Sequence, residues 1–151
     1  MRRRTFIAGL GSAAAWPVVT RAQQGDRVRR IGWLSAVDEN DLASKRLLSA
    51  FTQALADLGW TDGRNVRVDL RSVAGDLNHI PALAQELVGS RPDIILAGTA
   101  TATLALQRET RTIPIVFVGL ADPVASGLVE RLDRPSGNIT GFADLEATLG
   151  G

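Results

Sequence analysis

Apolar and polar positions along the chain switch between two periods. From Val28 to Ser35 a short apolar core of Ile31, Trp33 and Leu34 predicts a first strand. Asp38, Asn40 and Asp41 then supply candidate helix caps. Leu47, Leu48, Phe51, Leu55 and Leu58 follow at steps of one, three, four and three, which draws a single apolar stripe at helical period. Gly59 is placed to end that helix, and Asp62-Gly63 to turn the chain back. Val66, Val68 and Leu70 alternate with charged residues and predict a second strand near a sheet edge.

The alternation continues. Asn78 and Pro81 open a second helix whose stripe is Ile80, Leu83, Ala84, Leu87 and Val88. After Pro92, residues 93–97 read as a third strand, and behind Asp93 they form a continuous apolar run, the pattern of a strand covered on both faces. Residues 98–101 lead into a third helix that reaches Glu109, and residues 113–118 read as a fourth buried strand. Beyond a loop at 119–123, Leu128, Val129 and Leu132 suggest a short helix, and residues 138–142 a short fifth strand. Strands separated by helices pair in parallel through right-handed crossovers. The predicted fold is therefore α/β, a doubly wound parallel sheet of about five strands in the order 2-1-3-4-5, built as one lobe.

The first segment has a different logic. Arg2, Arg3 and Arg4 precede fourteen uncharged residues from Phe6 to Val19, and Thr20-Arg21-Ala22 then places small residues where a signal peptidase reads. This is the three-part layout of an export signal. The run is shorter than the roughly 18 residues that mark a membrane span. Arg3-Arg4-Thr5-Phe6-Ile7 resembles the twin-arginine export motif, with Arg2 and Ala8 departing from it; an ordinary secretory signal fits as well. Cleavage after Ala22 would remove four arginines and no acid, which leaves 13 basic against 16 acidic residues, a net −3. The expected divisions are 1–22 as export signal, 23–142 as the α/β lobe, and 143–151 as the start of a crossover towards a second lobe.

Charge and composition then close several functional classes. The whole chain of 151 residues carries 17 Lys and Arg against 16 Asp and Glu, without the clustered excess that a phosphate-binding face needs, so no nucleic-acid partner is expected. With no cysteine, disulfides, thiolate metal sites, cysteine nucleophiles and lipid attachment through cysteine are all excluded. His79 is the only histidine, so a histidine-rich metal cluster is excluded too, and no phosphate-cradling GxxxxGK[ST] is present. No acid/base pair stands out, which favours binding over catalysis, with no cofactor expected.

In open α/β sheets, ligands collect at the carboxyl ends of the strands near the point where strand order reverses. That rule selects Ser35 and its neighbours after the first strand, Gly98-Thr99-Ala100-Thr101 after the third, and Leu120, Ala121 and Asp122 after the fourth. The third-strand loop carries the most information: its small residues let a ligand approach the backbone, and free amides at a helix start favour an anionic group such as a carboxylate. Each choice has a structural counterpart that the sequence leaves open. Thr99 and Asp122 serve equally as caps, Ser35 as a strand-end polar group, His79 as a solvated side chain, and Trp33 and Trp60 as packing residues.

The residues also carry a family resemblance. The leader pieces Met1–Ile7, Ala13–Pro17 and Arg21–Gln24 resemble those of bacterial ABC-transporter substrate-binding proteins. Ile31-Gly32-Trp33-Leu34-Ser35, Leu58-Gly59-Trp60, Gly63–Val66 and Arg91–Ile95 are similar to the family's strands and helix exit. The most specific stretch joins Pro114–Phe117, Asp122-Pro123-Val124, Gly127-Leu128-Val129 and Arg134–Gly141. The resemblance implies a type I periplasmic-binding-protein fold, in which two α/β lobes close over a small ligand, in several relatives an aromatic amino acid. It implies an exported, soluble periplasmic protein that works with an ABC permease. By position, Ser35, Thr99, Ala100, Thr101 and Asp122 would line one side of the cleft, with Thr99-Ala100 standing where members have Thr-Pro or Ser-Pro. Members are longer than this chain, so a truncated single lobe with weak binding is expected. Two alternatives from other classes are a flavodoxin-like enzyme, which would hold a cofactor, and a ligand-sensing regulatory lobe.

Overall fold

The computed structural model describes residues 27–131, 133 and 137–144. The export-signal segment and residues 145–151 lie outside the described residues, as does Leu132. Five strands, β1 (Arg29–Ser35), β2 (Val66–Ser72), β3 (Ile94–Ala97), β4 (Ile115–Leu120) and β5 (Ile139–Ala143), make one sheet. Its order is β2-β1-β3-β4-β5 and every pairing is parallel, as the alternating pattern predicts. Three helices join the strands: α1 (Leu42–Asp57), α2 (Ile80–Gly89) and α3 (Ala100–Glu109).

The helix ends follow from local chemistry. Asp41 caps α1 by accepting from the amides of Ala43 and Ser44 at 2.9 and 3.3 Å. Gly59, at φ 88°, closes it in the left-handed region. A single 3-10 turn, Leu77–His79, precedes α2, and Asp76 caps it by accepting from the Asn78 amide. The short helix expected around Leu128 is not formed. Among the described residues, a single turn runs from Asp122 to Gly127 instead, with the Ser126 amide on the Asp122 carbonyl and Gly127 at φ 69°. The reversal at Gly127 stops the turn from propagating, while Leu128 and Val129 still reach the core.

The two faces of the sheet are unequal. On one face Leu34, Ile95, Ala97, Ile115, Phe117 and Ile139 are buried under Ile80, Ala84 and Leu87 of α2 and Ala102, Ala105 and Leu106 of α3. The fit is close: a Cβ on Gly32 would stand 2.9 Å from the Leu87 side chain. Among the described residues the other face carries only α1, which packs Phe51 edge-on against Trp33, the ring centroids 5.3 Å apart. No residue of α1 is fully buried. Five strands at about 4.8 Å spacing are roughly 19 Å wide, and packed helices sit about 8–10 Å apart, so each face has room for two helices. Among the described residues, one place on the α1 side is therefore uncovered. Val118 and Phe142 stand 47% and 73% exposed there, and Ile94, Leu96 and Val116 are only half-buried. Among the described residues, the expectation that the third and fourth strands be covered on both faces is thus met on one face only.

At the amino-terminal edge of the sheet, Asp93 joins β1 to β3. It accepts from the Arg30 amide at 2.8 Å and from the guanidinium groups of Arg27 and Arg29 at 3.0 and 3.4 Å. The backbone donor, chiefly, and then the two arginines hold its carboxyl below the usual carboxylate range, against an opposing push from partial burial.

Candidate functional site

Parallel pairing puts every strand's carboxyl end on one edge, and the order of the strands decides which loops meet. β1 leads outward to β2, whereas β3 leads the other way to β4, so the crevice between β1 and β3 is the topological switch point. The register places Leu34 opposite Ala97, and Ala97 opposite Phe117. The loops after β1, β3 and β4, all selected from sequence, therefore stand side by side within about 10 Å, two strand spacings.

In the middle loop Thr99 is the N-cap of α3. Its backbone is extended, and its Oγ1 accepts from the Ala102 amide at 3.1 Å. Its carbonyl accepts from the Thr103 hydroxyl at 2.7 Å, a contact buried beneath the helix start. The hydroxyl of Thr99 is thus committed to capping. The amides of Ala100 and Thr101, like those of any first helical turn, have no intrahelical acceptor and face the edge with a partial positive charge. Thr101 is exposed.

The flanking positions are polar and short. Ser35 Oγ accepts from the Val37 amide at 3.2 Å and donates to the Val37 carbonyl at 3.3 Å, which bends the chain away from the end of β1. Asp122 Oδ1 accepts from the Ala125 amide at 2.8 Å, so the exposed carboxylate caps its own turn. Asp144 was not among the residues expected from sequence. Its amide donates to the Leu120 carbonyl at 3.0 Å, and its carboxylate lies beside Gly119 at the same edge. Its position after the fifth strand was the available signal, because the rule that selected the other loops applies there too.

The structure brings Ser35, Thr99, Ala100, Thr101 and Asp122 into one row, with Thr101 and Asp122 exposed and the other three half-buried. Beside the row a half-open cleft of about 160 Å³ lies between α1 and the sheet, lined by Trp33, Val37, Leu47, Leu48 and Leu70, with Ser35 on its wall. Ser35 is the member of the row that also lines it. Trp33 is a packing residue against Phe51 as well as a wall of this cleft. Trp60 and His79 are exposed and lie away from the row; His79 pairs with Asp76 at 3.4 Å. Among the described residues no group of three or more His, Cys, Asp or Glu could hold a metal ion, and no helix is long and apolar enough to cross a membrane.

A doubly wound sheet with short polar loops and a helix start at its switch point defines an open α/β lobe. The chain belongs to the ABC transporter substrate binding protein family, whose pattern it matches over residues 34–149. It is 34% identical over 94 residues to a tyrosine-binding protein of Clostridioides difficile (strain R20291), a match that covers 62% of this chain and 27% of that one. Among solved structures, it resembles an ABC domain from Streptococcus pneumonia in complex with L-Trp, with TM-score 0.68 and 25% identity, over 77% of this chain and 38% of that one. A ligand-free, open substrate binding protein with adhesive properties from Clostridium difficile gives 0.70 and 30%, over 78% and 39%. A conserved domain protein of Vibrio cholerae gives 0.72 and 28%, over 79% and 40%. The chain thus spans well under half the length of these relatives.

Proposed function

We propose that this chain provides one lobe of a solute-binding clamshell, and that its ligand is a small carboxylate-bearing solute, an amino acid foremost. The observation that carries the reading is the meeting of the three loops at the switch point, with the start of α3 at their centre. In this reading the amides of Ala100 and Thr101 and the Thr101 hydroxyl receive the carboxylate, Ser35 borders it, and Asp122 attracts the ammonium group. Thr99 acts through its cap, which fixes the direction of those amides. The tyrosine and L-Trp named for two relatives support an amino acid as the solute. The leader at 1–22 would export the chain to the periplasm as a soluble protein, where an ABC permease would be its partner.

A lobe alone leaves the ligand half solvated, whereas binding sites of this kind bury most of their ligand between two closing parts. If a complete clamshell bound at about 1 μM, near −8 kcal/mol, a lobe keeping half of that free energy would bind at roughly 1 mM. Titration of the chain with amino acids, followed by amide NMR, tests the reading. Millimolar binding with shifts at residues 98–102 and at Ser35 is expected. Sub-micromolar binding by the monomer would refute the half-site, and saturation without shifts in those loops would refute the placement.

A further inference from the structure

The bare strip of sheet beside α1 has a definite shape, a charged end and a point of approach. Parallel register sets Ile94 and Leu96 of β3, Val116 and Val118 of β4 and Phe142 of β5 on the face that also carries Trp33. From β3 to β5 the strip is two strand spacings wide, about 10 Å, the breadth of one helix with its side chains. Its length, set by the six residues of β4, is about 20 Å. Its carboxyl end is acidic, because Asp122 follows β4 and Asp144 follows β5, both exposed. The described chain enters at the opposite end. Arg27 donates to Asp93 at 3.0 Å, and Asp93 immediately precedes β3, so the residues before 27 arrive beside the amino end of the strip.

We propose that the apolar segment Phe6–Trp16 of the uncleaved chain lies along this strip as a helix, with Arg2, Arg3 and Arg4 beside Asp122 and Asp144. Phe6, Leu10 and Ala13 step by four and three, which puts them on one side of a helix, with Ile7 and Trp16 on its flanks. A helix from 6 to 16 is about 16 Å long, within the length of the strip, and Pro17 sets its end. Residues 17–26 form the tether, whose reach of up to about 33 Å exceeds the roughly 15 Å from the strip to Arg27. The tether holds the Trp16 end at the amino edge, so the helix runs against the strands, and its three arginines arrive where the two carboxylates stand. Opposite charges there set the direction and add a salt-sensitive attraction. A second copy of the lobe is the poorer occupant. The strip outlines only about 200 Å², against roughly 800 Å² per partner in a stable protein pair. A tethered segment needs no such area, because the tether keeps it at an effective concentration in about the millimolar range. Cleavage after Ala22 would strip this cover, so the segment shields an apolar patch until it is cut away.

The test uses the full chain, which has no native cysteine. Ser12→Cys places a single thiol away from the Phe6, Leu10 and Ala13 stripe, and a nitroxide attached there broadens the amide NMR signals of its neighbours. The amides of Val116, Val118 and Phe142 should lose most of their intensity and regain it when the label is reduced, while those of Ala84 and Leu87 on the far face keep most of theirs. Phe142→Asp, a change at an exposed side chain, puts a charge in the strip and should restore the Val116 and Val118 signals. Reversing Arg2, Arg3 and Arg4 together to glutamate should weaken the losses. No loss on the strip would overturn the proposal, as would losses that both variants leave unchanged. Losses centred on Leu47 and Leu48 would put the segment against α1 and overturn the strip as its seat. Spin-labelled chain without isotope is also mixed with enriched, unlabelled chain. Equal losses on the strip in that mixture would mark a second copy as the occupant and overturn the tethered cover.

Discussion

Asp93→Asn changes one charge and almost no volume at the seam between β1 and β3. In the wild type the carboxylate accepts a short bond from the Arg30 amide and faces Arg27 and Arg29, whose side chains are 67% and 43% exposed. The exposed pairs contribute little, about 0–1 kcal/mol together. The backbone bond contributes more: a hydrogen bond to a charged acceptor stabilises by about 1.5–3 kcal/mol, and to a neutral one by about 0.5–1.5. The asparagine keeps an acceptor and loses the charge, so the expected loss near neutral pH is about 1.5 kcal/mol. The pH dependence follows from the depressed carboxyl. Between the folded-state value and the unfolded one of about 3.9, the unfolded chain binds more protons, so stability rises with pH across that window. The contribution is fully present above the window and disappears as pH falls through the folded-state value. Urea unfolding followed by circular dichroism should therefore show a gap between the two proteins at neutral pH that closes in acid. An equal gap at both pH values would refute the electrostatic account and leave only a shape effect.

Other outcomes follow from the same contacts. A Cβ on Gly141 would collide with the Phe117 carbonyl oxygen and ring, so Gly141→Ala should force β5 off β4 and cost about 1–3 kcal/mol or more in urea unfolding. Gly98→Ala meets nothing within 4 Å and has no left-handed φ, so its midpoint should match the wild type within error. Thr99→Ala removes the cap of α3 and should cost about 1 kcal/mol of stability along with weaker ligand binding. Thr101→Ala should leave stability within about 0.5 kcal/mol and still weaken amino-acid binding severalfold by NMR titration. If both variants lose only stability, the hydroxyls are structural and the carboxylate lies elsewhere. Asn138 donates to the carbonyls of Thr110 and Ile113 at 3.3 and 2.7 Å, and Asn138→Ala should cost about 1–2 kcal/mol by leaving them unmatched.

The sequence by itself determined the elements and their order, because both depend on short-range chemistry. Asp41 and Gly59 bound α1 through their own backbone and side-chain bonds, and the alternation in β2 marks an edge strand whichever neighbour it finds. Right-handed crossovers then leave few arrangements, and the order of five strands was legible before any contact was known. The same rule of strand ends fixed which loops form the row. The sequence failed where the answer depends on what covers what. The run Ile94–Ala97 predicts a strand buried on both faces, yet one face is half-open, because a second helix over it is not among the described residues. Leu128 has helical neighbours in sequence, but the positive φ of Gly127 and the capping carboxylate of Asp122 settle the segment as one turn. Only the tertiary structure decided that Trp33, Leu48 and Leu70, from three separate elements, would line one half-open cleft beside Ser35. A cleft depends on how far α1 stands from the sheet, and no pattern along one chain records that distance.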